Sequence, residues 1–291
     1  MRVQFAGIPQ PIQLDGCAGL LDRVAALSQG WRWRETDDPQ DAVIAITRLA
    51  GGWRIASRWT PEPAVYDDET DIVCALFADL MLAHVAAHDR LLCLHAGAVA
   101  IGSSTDAPLF VFPAESQAGK STLTAALAVS GGRLYSDDVL PVDLAAGASG
   151  QAMAIGLAPR PRLPLPNALP LALREMLSRR LLLANPRHGY VALPRERLAP
   201  LGERRPIAAF VRLERAPGHA SLAATPRSEI MTLLLRQNFG ATPPATELVE
   251  RFAALTAAAR CWRLRYSDIG EAVALLTAQA QSAAAQRRLS A

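Results

Sequence analysis

Cysteine is scarce in this chain. Its 291 residues include four, Cys17, Cys74, Cys93 and Cys261, with no C-x-x-C pair among them. That spacing argues against a disulfide framework or a zinc ribbon and fits reduced, mostly buried thiols of a cytoplasmic protein. Long apolar stretches are missing too: no uninterrupted run reaches the roughly 18 residues a membrane span requires. Met1-Arg-Val-Gln4 leads into polar, proline-containing sequence, so no signal peptide and no membrane partner are expected. Neither sign of charge dominates, since 30 basic against 27 acidic residues leave +3 spread along the chain. Without a long basic run or an aromatic-interleaved basic patch, nucleic acid is not expected as a partner. Arg179-Arg180 and Arg204-Arg205 read as solvated faces. No internal repeat is visible. What remains is a globular composition, 51% hydrophobic and 20% charged, long enough for one large or two modest domains.

The most informative stretch is Ala114-Glu115-Ser116-Gln117-Ala118-Gly119-Lys120-Ser121-Thr122, with Asp137-Asp138 following it; Asp138 lies seventeen residues after Ser121. Pro108-Leu-Phe-Val-Phe-Pro113 ahead of it is strand-like, and the residues from Ser121 to Ala128 read as a helix. Backbone N–H groups at such a strand–loop–helix junction wrap phosphate oxygens, and the helix N-terminus adds its own attraction for an anion. Lys120 is placed to reach the β- and γ-phosphates of a nucleotide and Ser121 to ligate Mg²⁺, while Thr122 serves either the α-phosphate or helix packing. Two departures from G-x-x-x-x-G-K-[ST] stand out: Ala114 replaces the first glycine, and Glu115 puts a negative charge inside the loop.

Asp137 and Asp138 fall at a strand end, where neighbouring side chains point to opposite faces. One of them, taken as Asp137 together with Ser121, can face a metal, while a carboxylate facing the γ-phosphate, taken as Asp138, accepts a hydroxyl proton. A second reading makes both surface turn residues. His95, in the apolar run Leu91 to Ala100, is on its own most simply a hydrogen-bonded core residue; its strand, however, should lie beside the one feeding the loop. His84 and His88, four apart on a helix, lack a third ligand at a recognised spacing and read as a metal-free helix face. Trp31-Arg-Trp-Arg34 reads as a strand with tryptophans inward and arginines outward.

Two regions are expected. Residues 1–90 form a small α+β module, with a hairpin around Gly51-Gly52 joining strands 42–47 and 53–58, then a helix over 69–88. Residues 91–291 hold strands near 91–100, 109–112, 133–137, 206–214 and 261–266, and helices near 227–237, 246–259 and from 269. Five prolines between 158 and 170, with Arg160 and Arg162 among them, exclude a helix or a central strand there. This segment is either a stiff connector, the reading given preference, or a loop carrying arginines over the nucleotide.

His95-Ala-Gly-Ala-Val, the loop, and Tyr-Ser-Asp137-Asp138-Val together resemble the catalytic domain of the HPr kinase/phosphatase family, whose members carry a His-Ala segment, G-x-S-x-x-G-K-S and an Asp-Asp pair. The match is good over about residues 91–145, with Ser116 as the family's loop serine. The resemblance implies an α/β (α+β overall) fold: a mixed twisted sheet with flanking helices, similar to the phosphoenolpyruvate carboxykinase nucleotide domain. It implies Asp138 as proton acceptor, Lys120 and His95 facing the phosphates, Ser121 on the metal, ATP and Mg²⁺ as cofactors, and a homo-oligomer. The family's second signature, a glutamate followed by Arg-Gly-x-Gly, is absent; Ala158-Pro-Arg160-Pro-Arg162-Leu-Pro stands where it would fall. That argues against phosphorolysis and against HPr as the substrate. The chain is more similar to the divergent relatives that phosphorylate a serine of a ribosomally made precursor peptide, the lasso-peptide kinases. The expectation is therefore an ATP-dependent kinase acting on a peptide or small protein, with the first 90 residues holding the acceptor or a partner. A small-molecule kinase, and a nucleotide-binding regulator or scaffold without transfer activity, are the alternatives.

Overall fold

The structure is a computed structural model and describes residues 1–88, 91–102, 104, 106–115, 118–143, 150–239 and 243–289, with side chains described up to residue 282. It is a mixed α/β protein with seven α-helices and two large mixed sheets among the described residues. No described helix is long and apolar enough to cross a membrane.

The first sheet has the order β3-β1-β2-β4-β5-β6. Its strands are β1 (Arg2–Phe5), β2 (Ile12–Asp15), β3 (Trp33–Glu35), β4 (Ile44–Leu49), β5 (Gly52–Ser57) and β6 (Ala64–Tyr66). β4 and β5 form the expected hairpin, whereas β2 and β4 are parallel, joined by a crossover through α1 (Leu20–Leu27). The Trp-Arg-Trp-Arg pattern departs from expectation. Trp31 is buried, but it precedes the strand and its Nε1–H donates to the Ile155 carbonyl at 2.8 Å. β3 itself is an edge strand with all three residues exposed, Trp33 included. Trp33 lies opposite Phe5 and so shares its inner face, with Arg34 on the face of Gln4, but at the sheet edge it stays uncovered.

α2 (Glu69–Ala86) starts where Asp68 accepts from the N–H groups of Thr70 and Asp71. It is apolar on more than one face, the mark of a helix covered on several sides. Ile72, Val73, Leu76 and Leu80 pack under the first sheet, in a core that also recruits Ala158 and Tyr190 from far along the chain.

The second sheet runs β11-β10-β7-β8-β14-β17-β15, with β9 and β16 also pairing with β7. Its strands are β7 (Leu91–Ala100), β8 (Leu109–Pro113), β9 (Arg133–Ser136), β10 (Val139–Asp143) and β11 (Gln151–Met153). After a separate hairpin of β12 (Leu181–Ala184) and β13 (Gly189–Val191) come β14 (Arg204–Arg215), β15 (Ser221–Ala224), β16 (Asn238–Phe239) and β17 (Arg260–Tyr266). β8, β14 and β17 are parallel and β7 and β10 antiparallel, so the sheet is mixed; β11 also pairs with β14. β7 and β8 are buried almost throughout, as their unbroken apolar runs require. α3 (Lys120–Val129) and α7 (Ile269–Leu289) lie on one face, around a core that includes Phe110, Phe112, Leu123, Leu127 and Leu276, and α4 (Leu171–Ser178) packs on α3. α5 (Arg227–Gln237) and α6 (Ala245–Ala258) cover the other face through Ile230, Leu234 and Phe252.

Candidate functional site

The site is organised by a change of partners along β7. His95 is the last β7 residue opposite β10, facing Val139, and Ala96 is the first opposite β8, facing Pro113. The loop after β8 and the turn between β9 and β10 therefore open on either side of His95, and the Ala96 N–H ties the turn down by donating to the Asp138 carbonyl at 2.9 Å. Gly97 follows because nothing larger fits. A Cβ there would lie 2.6 Å from Thr124 Cγ2, so the strand lets α3 approach closely. Gly119, at φ +93°, turns the chain into α3 in the left-handed region that favours glycine, and a Cβ would meet Arg215 Nη2 at 2.8 Å.

One hydrogen-bonded line crosses the site. Asp138 Oδ1 lies 3.0 Å from His95 Nδ1, and His95 Nε2 lies 2.9 Å from Lys120 Nζ. A hydrogen on Nδ1 satisfies both contacts: it is donated to the carboxylate, leaving Nε2 to accept from the ammonium. Lys120 Nζ also donates to the carbonyls of Ala114 at 2.7 Å and Glu115 at 3.2 Å. Burial lowers the Lys120 pKa, against the opposing pull of Asp138 and Asp137. Of the chain's 30 lysine and arginine residues, Lys120 alone is a lysine.

The two adjacent aspartates have separate environments. Burial, then the neighbouring Asp138 charge, pushes Asp137 up to about 6, although Arg160 N–H donates to its Oδ2 at 2.7 Å. Burial also pushes at Asp138, but the His95 hydrogen bond, with the Arg160 and Lys120 charges, outweighs it and holds that carboxyl below its ordinary value. Ser121 Oγ donates to the Asp137 carbonyl at 3.5 Å.

These groups surround a cavity of about 580 Å³ into which His95, Gly119, Lys120, Ser121, Thr122, Asp137 and Asp138 all face. The other expected loop residues sit differently. Ala114, Glu115 and Ala118 border a second cleft of about 360 Å³, and the exposed Glu115 carboxylate pairs there with Arg236 at 3.8 Å. The negative charge that looked unwelcome in the loop is turned away from the cavity. Ser116 and Gln117 lie outside the described residues.

The proline-rich segment is not a remote connector. It lies over the cavity and contributes Arg160, Arg162, Pro164 and Pro166, and alternation along an extended chain puts both arginines on the same side. This corrects the preference for a connector. Arg215 and His188 also line the cavity without having been anticipated. Arg215 ends β14 beside Gly119, at the C-terminal edge of parallel strands where ligands commonly bind, which was a usable signal. His188 reaches the cavity through an isolated bridge with Arg162, for which the local sequence carries no sign.

Chemically, the cavity pairs a helix N-terminus, Lys120 and three arginines with two carboxylates and a hydroxyl. The cationic groups suit a polyanion, and the all-oxygen set of Ser121, Asp137 and Asp138 suits a hard cation such as Mg²⁺. Among the described residues no cluster of three His, Cys, Asp or Glu forms a metal cage of its own; His88 Nδ1 lies 2.6 Å from the His84 carbonyl, and the His84 ring packs against Trp31. No family model matches the chain, and no curated protein matches it.

Proposed function

We propose that the protein is an ATP- and Mg²⁺-dependent kinase that phosphorylates a serine-type hydroxyl of a peptide or small protein, on a nucleotide domain of the HPr-kinase-like kind. The observation that carries this reading is the Asp138–His95–Lys120 line, which joins a carboxylate kept ionised to an ammonium group at the start of α3.

In this reading Asp138 takes the proton of the acceptor hydroxyl. The oxygen bonds to the γ-phosphorus as the bond to the β,γ-bridging oxygen breaks, and ADP leaves with that electron pair. His95 holds the Asp138 carboxylate in place through Nδ1. Lys120 moves from the Ala114 and Glu115 carbonyls to the phosphates, and Arg160, Arg162 and Arg215 offset charge around the transferred group. Ser121 and Asp137 would hold Mg²⁺, which when bound neutralises charge on the β- and γ-phosphate oxygens. Pro164 and Pro166 also line the cavity.

The test is transfer of label from γ-labelled ATP to serine-containing peptides. Asp138→Asn is expected to lower turnover by about 10²- to 10⁴-fold with ATP binding retained, and Lys120→Ala to weaken ATP binding as well. Transfer by both variants at the native rate would overturn the assignment.

A further inference from the structure

We infer that the acceptor is a peptide bearing an apolar side chain close to its phosphorylatable serine, and that α2 of the first module supplies the pocket for that side chain. The inference rests on the kinase reading and adds the acceptor's chemistry to it.

In-line transfer puts the attacking oxygen opposite the leaving one. The leaving side is fixed by Gly119, Lys120 and Arg215 at the start of α3, so the acceptor approaches Asp138 from the other side. A second cleft opens there. It shares Asp137, Asp138 and Arg160 with the larger cavity, and its remaining wall is almost entirely apolar: Phe77 and Met81 from α2 facing Val139, Ile155 and Leu157. Its volume of about 70 Å³ is room for one side chain.

The cleft arises because α2 has a second apolar face. Cys74, Phe77, Ala78 and Met81 are spaced three and four apart, which puts them on one stripe of the helix. Phe77 is held edge-on against Tyr190 at 5.8 Å, and Met81 joins Val139 and Ile155 in a small core of its own. Ala78 is exposed at the mouth, where a larger residue would close the cleft. Arg160 closes the end nearest the catalytic pair, its backbone N–H on Asp137 and its guanidinium on Cys74 Sγ. A serine hydroxyl at Asp138 therefore leaves a neighbouring side chain against Phe77 and Met81, where an aliphatic or thioether group is favoured and a charged one loses its hydration against an apolar wall.

The experiment is a positional-scanning library of serine peptides, incubated with the full chain, Mg²⁺ and γ-labelled ATP. The expected result is label concentrated about 10- to 100-fold in pools with Leu, Ile, Met, Val or Phe within two residues of the serine, relative to Asp and Lys pools. Ala78→Arg should move that preference toward Asp and Glu, and Ala78→Trp should flatten it; position 78 is exposed, so both variants should fold, which ATP calorimetry checks. A flat or charge-directed profile with the native protein, or an unchanged profile in Ala78→Arg, overturns the cleft assignment and leaves the kinase reading standing. No label in any pool overturns peptide phosphorylation itself, and the cleft assignment falls with it.

Discussion

The imidazole of His84 offers a quantitative test of the packing between α2 and the first sheet. The residue is 8% exposed, its Nδ1 is buried without a hydrogen-bond partner, and its ring stands edge-on to Trp31 at 5.9 Å. The Gly7 turn presses on it so closely that a Cβ on Gly7 would lie 2.9 Å from Nδ1. Burial, followed by the His88 charge, lowers the His84 pKa from 6.5 to about 4. Between those values the unfolded chain binds more protons than the folded one, so stability rises with pH. The contribution is complete above the unfolded value and is lost as pH falls through the window, by about 2.5 kcal/mol between pH 7.5 and 4.5. His84→Leu keeps an apolar group of similar size and removes the titration. Urea unfolding of native and variant protein across that range should give curves within about 1.5 kcal/mol of one another at pH 7.5. The gap should then move in the variant's favour by about 2.5 kcal/mol at pH 4.5. Parallel pH profiles would refute the buried, neutral imidazole.

Three further outcomes follow from the candidate site. Lys120 is the only lysine, so an amine-directed reagent followed by mass spectrometry should modify one side chain, and Mg–ATP should block it; unchanged labelling with saturating ATP would place the nucleotide elsewhere. Gly119→Ala forces a left-handed alanine at φ +93° and a 2.8 Å contact with Arg215 Nη2. The cost of about 1–2 kcal/mol falls at the turn into α3, and with the proposed ATP held there calorimetry should show affinity falling about 5- to 30-fold. Gly97→Ala drives a methyl group to 2.6 Å from Thr124 Cγ2 and should destabilise the fold by about 1–3 kcal/mol. Thr124→Ser, which removes that methyl, should restore most of the loss in the double variant, and additive effects would refute the contact.

The parts of the fold legible in sequence were those written in short-range pattern. The apolar runs of β7 and β8, the Gly51-Gly52 hairpin, and the helices at 69–86, 227–237 and 245–258 follow from periodicity and turn residues alone. Lys120, Ser121, Asp137 and Asp138 stand in compact local patterns, whereas His95 was singled out by its strand's expected place beside the loop; all five face one cavity. Elements set by long-range pairing were hidden. Trp33 shares the face of buried Phe5, but whether anything covers it there depends on β3 being the edge strand, which the four residues of that repeat do not specify. Arg215 and His188 reach the cavity from residues far along the chain, and the proline-rich segment reads identically whether it spans open space or covers a site. The identity of Lys120 as the only lysine was a compositional signal that needed no structure at all.

Neighbouring side chains at a strand end face opposite ways, and the Asp137-Asp138 pair shows how the fold uses this to separate two like residues. Asp138 turns to His95 and to solvent, where a hydrogen bond and nearby cations keep it ionised and available as a base. Asp137 turns inward and is held by a backbone N–H of Arg160, a residue whose guanidinium reaches Cys74 on α2. The proline-rich segment is fastened at this point from both sides, and the β12–β13 turn also meets α2, where Arg187 and His188 approach Asp71. The carboxylate assigned to the cation is thereby set by a strap from the helix assigned to the acceptor, while the carboxylate assigned to the proton is set by the strand beneath the loop. A substitution at Ala78, the exposed member of that α2 stripe, should therefore alter acceptor choice without moving Asp138. A substitution at Arg160 should disturb Asp137 first, and the acceptor pocket with it.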